Sequence, residues 1–401
     1  DGYVKGNKSG YPCIHASLII VDEVSMIGGF LFKDLLENIP DYAKLVLIGD
    51  EGQLEAIGYA NILHDLKASQ CVPVFKLTKV LRQAARSGII SDSFKIYNKQ
   101  QFVPADLVNE TIHGELQDFR IIPRDDKEEI VQAVREQYGK FLSAGHKTED
   151  IIIVTQKRSK GPLSAVNLNK EIQDIVMAMY NGPTLKVYYM DGQLTYTIDY
   201  KVGDRVMVTR NAYDAPMAPE DPNFLTEQQV KDLGLTEKDE YNSVEIYNGN
   251  VGTVRRISFI EKATNAKRKK VEYSRAEMVV QYPQGFVLYT YDLEKKKPFD
   301  LQLGYAATCH KLQGMGVPYV IAVVDPSAYT LLTNEALYTE ITRAKKGCVL
   351  IGPTRSIRTA VRKSSVAHKQ TWLKEILIRD RDEYQKSLEE KEESPFKRLT
   401  F

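Results

Sequence analysis

Cysteine is scarce in this sequence, and the spacing of the few that occur excludes two classes of site. Only Cys13, Cys71, Cys309 and Cys348 occur among 401 residues, and no two of them have the C-x-x-C spacing of a zinc-binding pair. This distribution argues against a zinc site and against a disulfide framework. It fits a protein of a reducing compartment.

Long apolar runs are also missing. No apolar stretch approaches the ~20 residues that a membrane-spanning helix needs, so we expect no association with a membrane. The first residues do not have the pattern of a signal peptide. Because the chain begins with Asp1 rather than Met, we expect that its natural beginning lies upstream.

An excess of charge of one sign is the third absence. Lys and Arg total 54, Asp and Glu total 53, and the net charge is +1, so a polyanion would have to bind to a local patch. One candidate patch is the basic run of Lys267, Arg268, Lys269 and Lys270, which could meet phosphates. A solvated charged turn is the alternative.

The chain length of 401 residues predicts about two to three domains.

The most informative stretch is an apolar run that ends in two carboxylates. Residues Leu18–Val21 are followed by Asp22 and Glu23. Four consecutive apolar residues are typical of a parallel strand that is buried on both faces. Ligands of open α/β sheets bind beyond the carboxyl ends of the strands. Asp22 and Glu23 are therefore placed as a magnesium ligand and a catalytic base of a nucleotide hydrolase, with a plain acidic loop as the alternative.

A second strand repeats this arrangement. Residues 30–39 have helical spacing, and the apolar run Leu45–Ile48 then ends in Gly49 and Asp50. The order strand, helix, strand predicts a βαβ unit. Gln53 in the following loop could orient a water molecule or sense a γ-phosphate. A plain turn is the alternative, because Gly and Asp favour turns.

The rest of the chain predicts further α/β structure interrupted by a β-rich insertion. Strands are predicted at Phe75–Thr78, Ile151–Val154, Val320–Val324 and Val349–Gly352. Helices are predicted at Gly58–Leu66, Ile89–Tyr97, Lys127–Leu142, Asn167–Met179, Gly304–Leu312 and Asn334–Thr342, with a charged amphipathic helix from 371 onward. From about 183 to 297, short strand-like runs alternate with Gly turns, as in a small all-β barrel.

Five blocks, taken in order, resemble the motor motifs of the RecD-like group of superfamily 1B helicases. They are Leu18–Met26 for motif II, Val46–Leu54 for motif III, Leu77–Gln83 for motif IV, Leu303–Gly314 for motif V and Leu337–Lys346 for motif VI. Two further blocks, Lys201–Asn211 and Glu245–Val254, resemble the SH3-like barrel that is inserted in the second motor domain of these enzymes. The resemblance extends over residues 15–360.

The resemblance implies an α/β fold of two RecA-like parallel-sheet motor domains, the first of them incomplete, with an SH3-like β-barrel inserted in the second. It divides the chain into a partial first motor domain (1–74), the first part of the second motor domain (75–182), the inserted barrel (183–298), the second part of the second motor domain (299–360) and a C-terminal charged helix and tail (361–401).

The resemblance also implies roles for individual residues. Asp22 would hold Mg²⁺ and ATP, Glu23 would activate the attacking water, and Gln53 would sense the γ-phosphate. Arg82 and Arg343 would be arginine fingers, Gln313 and Gly314 would lie near the nucleotide, and Thr308 and His310 would lie on the path of single-stranded DNA. Phosphoryl transfer needs a metal ion, a positioned water and mobile positive charge, which these residue types supply.

Three departures from the family pattern stand out. No phosphate loop of the form G-x-x-x-x-G-K-S/T occurs in the chain, which we interpret as truncation rather than degeneration. Motif III continues with Glu55-Ala56 where the family has two prolines. Motif V continues with Met315-Gly316 where the family has Ser-Glu.

The function implied is an ATP-dependent DNA helicase that moves 5′ to 3′ on single-stranded DNA, with this chain as its C-terminal part, inactive alone. Its partners would be single-stranded DNA, a DNA fork or duplex end, the missing N-terminal segment with the phosphate loop, and replication or recombination proteins. Its location would be the cytoplasm of a bacterial or phage-infected cell. The alternatives are a non-motor nucleic-acid-binding or scaffold protein that has lost ATP binding, and a helicase subunit of a larger recombination or conjugation assembly.

Overall fold

The computed structural model describes residues 3–4, 13–56, 58, 60–77, 86–236, 241–261, 273–364 and 371–392. The chain divides into two compact units. Unit 1 comprises Asp1–Phe102, Leu332–Thr339 and Arg358–Phe401, and unit 2 comprises Val103–Leu331 and Glu340–Ile357. The five-part division expected from the sequence stays a prediction.

Unit 1 contains the predicted βαβ arrangement. Its first elements are β1 (Tyr3–Val4), β2 (Cys13–Ile14), β3 (Leu18–Val21), α1 (Gly29–Glu37), β4 (Lys44–Leu47), α2 (Ile62–Ser69) and α3 (Gly88–Tyr97). Strands β3 and β4 pair in parallel, with Ile20 opposite Val46. Their carboxyl ends therefore lie at the same edge of this small sheet.

The expectation that β3 is buried on both faces is wrong for the described structure. Only Ile19 is buried, whereas Leu18 is 52% and Ile20 is 59% exposed. Leu18 and Ile20 lie on the same face of the strand, because side chains two residues apart point the same way, and that face is exposed to solvent in the described structure. Apolar character identified the strand correctly but overestimated its burial.

Two other predictions in unit 1 need correction. The short helix predicted at Gly58–Leu66 lies at Ile62–Ser69, because the Asn61 side chain caps it by accepting a hydrogen bond from the His64 amide at 3.2 Å. The strand predicted at Phe75–Thr78 is not seen in residues 75–77, which form no regular element. Phe75 is 94% exposed and no described strand pairs with it. Thr78 is outside the described residues.

Unit 2 is built on a six-stranded, mainly parallel sheet. Its elements are β5 (Thr111–His113), β6 (Phe119–Pro123), α4 (Lys127–Ser143), β7 (Ile151–Thr155), α5 (Ala165–Val176), β8 (Thr184–Asp191), β9 (Leu194–Lys201), β10 (Arg205–Val208), β11 (Ala212–Pro216), α6 (Glu227–Asp232), β12 (Ser243–Ile246), β13 (Val251–Glu261), β14 (Tyr273–Tyr282), β15 (Gly285–Asp292), β16 (Leu301–Leu303), β17 (Ala306–Thr308) and β18 (Val317–Val323).

The last elements of the chain are α7 (Asn334–Thr342), β19 (Ala344–Gly352), α8 (Thr354–Arg362) and α9 (Leu373–Glu392). The six-stranded sheet has the order β17-β7-β18-β19-β6-β5, and only β5 runs antiparallel. Every residue of β7 is buried. The α/β prediction is thus confirmed. Among the described helices, none combines the length and the apolar character that crossing a lipid bilayer requires.

A β-rich module occupies the middle of unit 2. Strands β15-β14-β13-β10-β16 form an antiparallel sheet, and β8-β9 and β11-β12 form two further antiparallel pairs. One buried apolar cluster contains Ile153 and Ile321 of the parallel sheet together with Val206 and Val280 of the β module. The module thus shares the hydrophobic core of the sheet. Its SH3-like identity stays a prediction.

The helix predicted at Gly304–Leu312 is wrong in its first half. Residues Ala306–Thr308 form β17, which pairs in parallel with β7, and a short 3-10 helix follows at Cys309–Leu312. The side chain of Asn169 on α5 fixes this edge strand, since its amide bonds both the N–H and the C=O of Ala306. Pairing with the sheet therefore overrides the helical pattern of the local sequence.

Candidate functional site

In unit 1, the two predicted catalytic carboxylates lie at the carboxyl end of β3. Glu23 has φ 53° and ψ 40°, in the left-handed region. A side chain other than Gly, Asn or Asp seldom adopts this conformation, and its cost is of order 1 kcal/mol. The Glu23 amide donates to Asp22 Oδ1 at 2.8 Å, and the Val24 amide donates to the Ile48 carbonyl at 2.9 Å. The chain therefore turns sharply at the point where the acids occur.

The loop after β4 lies at the same edge of the sheet and is organised by Asp50. Its Oδ1 accepts from the Gly52 amide at 2.9 Å. Its Oδ2 accepts from the hydroxyl of Tyr338 on α7 at 2.9 Å and from Gln53 Nε2 at 3.5 Å. Gln53 Oε1 is buried and has no hydrogen-bond partner among the described residues. Gln53 thus offers an acceptor to a bound water or ligand.

Helix α7 holds this loop from a second side. The Leu54 amide donates to Thr339 Oγ1 at 2.8 Å, and that hydroxyl donates to the Glu335 carbonyl at 2.7 Å. A Cβ on Gly52 would come within 2.6 Å of Tyr97 Cδ2 and 2.9 Å of Tyr338 Cε1. The motif III loop and the motif VI helix are therefore closely packed within unit 1.

The departure at Glu55-Ala56 has a structural explanation. The Ala56 amide donates to the Ser25 carbonyl at 2.9 Å, which ties the loop after β4 to the turn that follows Glu23. A proline at this position could not make that bond, because proline has no amide hydrogen. Glu55 in turn accepts a hydrogen bond from Asn61 at 3.2 Å.

In unit 2, the motif V residues follow the carboxyl end of the edge strand β17. Thr308 and His310 are half-buried there, and Gln313 and Gly314 come after the short 3-10 helix. Gly314 has φ +73°, a conformation that glycine adopts without strain. The Met315 amide donates to the Leu312 carbonyl at 3.1 Å, which closes a turn over the Gln-Gly pair that the resemblance places near the nucleotide.

Arg343, a predicted arginine finger, contacts this loop. Only 6% of its surface is exposed, and its guanidinium donates to the Met315 carbonyl at 3.5 Å. Its own carbonyl accepts from the Val317 amide at 3.0 Å. The structure thus brings Arg343 together with the Gln313–Met315 segment. Arg82 and the basic run Lys267, Arg268, Lys269 and Lys270 are outside the described residues.

Sequence reasoning missed a buried pair next to this segment. Glu340 is 1% exposed, and its Oε1 accepts from Gln156 Nε2 at 2.8 Å. The Gln156 Oε1 atom accepts from the Asp325 amide at 2.9 Å. Burial raises the pKa of Glu340 to about 8, against the opposing effect of the Gln156 hydrogen bond. The available signal was that Gln156 directly follows the buried strand β7, as Asp22 follows β3.

The described residues contain no group of three or more His, Cys, Asp and Glu side chains arranged to hold a metal ion. A closed protein cage is not required for Mg²⁺ in nucleotide hydrolases. The ion commonly keeps several waters and binds one or two carboxylates together with the phosphates of the substrate. Asp22, exposed at the sheet edge, fits that donor set.

Comparison with known proteins supports the sequence resemblance. The family described as AAA domain matches residues 7–101, and the family described as UvrD-like helicase C-terminal domain matches residues 303–351. The ATP-dependent RecD2 DNA helicase of Deinococcus radiodurans is 26% identical over 367 residues, which cover 90% of this chain and 39% of that protein. The resemblance to RecD-like superfamily 1B helicases is confirmed.

A second curated protein and a solved structure are also similar to this chain. The RecBCD enzyme subunit RecD of Mycobacterium tuberculosis is 22% identical over 359 residues, which cover 87% of this chain and 52% of that protein. Among solved structures, Pif1 helicase from Candida albicans has a TM-score of 0.42 at 15% identity, covering 93% of this chain and 76% of that one. The chain spans about two fifths of the length of the RecD2 relative and about half of the length of the RecD relative.

Proposed function

We propose that the protein to which this RecD-like chain belongs is an ATP-dependent DNA helicase. The observation that carries the proposal is the shared edge of the β3–β4 sheet, where Asp22, Glu23 and the Asp50–Gln53 loop come together. Parallel pairing of the two strands puts these groups side by side. The RecD2 relative is named as an ATP-dependent DNA helicase, which supports the proposal of helicase function.

The roles follow from the chemistry of each side chain. Asp22 would hold Mg²⁺, which when bound would supply positive charge to the transferred phosphoryl group. Glu23 accepts a proton from the attacking water. The unpaired Oε1 of Gln53 accepts a hydrogen bond from that water, while its Nε2 stays near Asp50. Asp50 in the motif III loop accepts a hydrogen bond from Tyr338 on α7. The motif III loop therefore responds to movement of α7.

Unit 2 supplies the remaining groups in this proposal except Arg82, which belongs to unit 1. Arg343 stabilises charge on the transferred phosphoryl group, and the loop with Gln313 and Gly314 lies near the nucleotide. Thr308 and His310 contact single-stranded DNA. Arg82 is the second arginine finger, and Lys267, Arg268, Lys269 and Lys270 contact DNA phosphates. The five-part domain division and the SH3-like identity of the β module are part of the same proposal.

We propose that translocation runs 5′ to 3′ and that a forked DNA or a duplex end is the substrate. RecD is named as a subunit of the RecBCD enzyme, and membership of a larger recombination assembly is proposed here by analogy. In unwinding assays, a duplex with a 5′ single-stranded tail should be opened by the full-length protein. Unwinding that requires a 3′ tail instead would overturn the proposed polarity.

The central test is Glu23→Gln in the full-length protein. Loss of the base should lower DNA-stimulated ATP hydrolysis by at least 100-fold, in the range that general bases contribute. ATP binding should be retained. Glu37→Gln is the matched control, since Glu37 is exposed on α1. DNA-stimulated hydrolysis that survives Glu23→Gln would show that Glu23 is not the base.

A further inference from the structure

Two exposed tyrosines on the β module of unit 2 pack edge to face against each other. Tyr213 on β11 is 63% exposed, and Tyr247, directly after β12, is 40% exposed. Their ring centroids are 6.0 Å apart, and the ring planes are inclined at 76°. We call these two residues the tyrosine pair. Large aromatic side chains with this much exposed surface are informative when they cluster.

Hydrogen bonds hold both rings in place. Asn211 bridges the two segments, since its Nδ2 donates to the Tyr213 hydroxyl at 3.2 Å and its Oδ1 accepts from the Asn248 amide at 2.8 Å. The Tyr247 hydroxyl donates to Glu245. Tyr213 also lies in a β-bulge, where the register of β11 and β12 shifts between Ala212 and Ala215. Bulges commonly redirect a side chain next to a functional site.

The turn that carries Tyr247 lies against the motif V segment. A Cβ built on Gly249 would lie 3.6 Å from both the Lys311 carbonyl and the Met315 sulfur. The Gly249 amide donates to the Val208 carbonyl at 2.9 Å, which fixes the turn to β10. The tyrosine pair is therefore anchored beside the segment that contains His310, a residue proposed above to contact single-stranded DNA.

The charges around the pair favour bases over phosphates. Arg210 is exposed nearby in sequence, but Asp214 and Glu245 are exposed carboxylates on the same two strands. These acids disfavour close approach of the phosphate backbone. An aromatic face, in contrast, can stack on any unpaired base without a charge of its own.

We propose that the tyrosine pair is a stacking platform for unpaired bases of single-stranded DNA that continues the path past Thr308 and His310. The proposal rests on the proposed function and adds a base-binding site to it. The rings are held before binding, so little side-chain freedom is lost when a base stacks. Binding is through the rings and is independent of base sequence.

The test measures binding of fluorescein-labelled oligo(dT) to the 401-residue chain by fluorescence anisotropy at several salt concentrations. The double variant Tyr213→Ala, Tyr247→Ala should bind at least fivefold more weakly, because each base stacked on an aromatic ring contributes on the order of 1–3 kcal/mol. The dependence of log Kd on log salt should not change, since no phosphate contact is removed.

Matched variants separate stacking from folding. The double variant Tyr213→Phe, Tyr247→Phe keeps the stacking faces but loses the hydroxyl hydrogen bonds that hold them, and should bind more tightly than the double alanine variant. Tyr384→Ala removes a 65% exposed tyrosine on α9 and should leave binding unchanged. Thermal melting of each variant should match wild type.

Each other outcome has a definite meaning. Wild-type binding that the double alanine variant retains would overturn the platform and leave the proposed function standing. Weaker binding with a smaller salt slope would mean that the tyrosines act through phosphates, which also overturns stacking. A wild-type chain that does not bind oligo(dT) would overturn the DNA contacts of unit 2 in the proposed function as well.

Discussion

At the scale of single residues, Glu340 is a buried acid that carries a proton at neutral pH. Its ordinary pKa is 4.5, and burial raises the folded-state pKa to about 8. Between these two values the unfolded chain has lost the proton and the folded chain has kept it. The free energy of unfolding therefore falls as pH rises through this window, by about 1.4 kcal/mol per pH unit for one proton.

This linkage predicts the effect of Glu340→Gln. The amide imitates the protonated acid, and its carbonyl can still accept from Gln156 Nε2. We expect the variant to melt at a higher temperature than wild type at pH 8 and to lose stability less steeply between pH 6.5 and 8. The measurement is thermal melting at several pH values.

The pH range avoids a second buried acid, since the pKa of Asp204 is raised by burial to about 6. Glu389→Gln on the exposed face of α9 is the control and should keep the wild-type slope. An unchanged slope in Glu340→Gln would contradict the assigned protonation of Glu340.

The sequence marked Asp22 and Glu23 as candidate site residues but gave no sign of Glu340, and the reason is physical. Asp22 and Glu23 follow an apolar run, so a local pattern marks the end of a strand. Glu340 is buried by packing against Gln156, which is 184 positions away in sequence. Nothing in the neighbouring residues distinguishes it from an exposed helical glutamate.

At the scale of elements, the motif III loop is tightly packed between helices α3 and α7. Gly52 faces Tyr97 of α3 and Tyr338 of α7. A Cβ built on Gly52 would lie closer than 3.0 Å to one ring atom of each tyrosine. Tyr338 is also held by Asp50. A methyl group here must therefore displace a ring or the loop.

Gly52→Ala should destabilise the chain by about 1–3 kcal/mol, the usual cost of overpacking. Gly139→Ala is the matched control. Gly139 lies within helix α4, and a Cβ there has nothing within 4 Å. Alanine should stabilise that helix by about 1 kcal/mol. Urea denaturation of both variants compares the two effects, and equal stabilities would exclude the close packing around Gly52.

Elements with a strong internal pattern were predictable, and elements that depend on distant partners were not. The bounds predicted for α7, Asn334–Thr342, are those observed. The segment Gly304–Leu312 has an equally helical pattern, but Ala306–Thr308 pairs with β7 instead. Phe75–Leu77 shows the opposite error, since its strand-like residues find no described strand to pair with.

At the scale of the whole molecule, the chain leaves unit 2 after Leu331 and returns at Glu340. The returning segment contains β19, which lies between β18 and β6 in the sheet. All members of the large buried cluster lie between Ile122 and Ile351. Unit 2 thus has its own core, but that core needs the returning strand.

We therefore expect the fragment Val103–Ile357 to unfold in one cooperative transition in urea, followed by far-UV circular dichroism. The fragment Val103–Leu331 lacks β19, which leaves the facing edges of β18 and β6 unpaired. It should show no cooperative transition. Cooperative unfolding of the shorter fragment would contradict the interior position of β19.

The exposed apolar residues of β3 and β4 have a consequence for handling the protein. Leu18, Ile20 and Val46 are each more than two fifths exposed, on a strand pair whose outer edges are unpaired among the described residues. Open strand edges with apolar side chains are templates for association between molecules. Association of the isolated chain will therefore increase with its concentration, and dilute preparations will stay monodisperse longest.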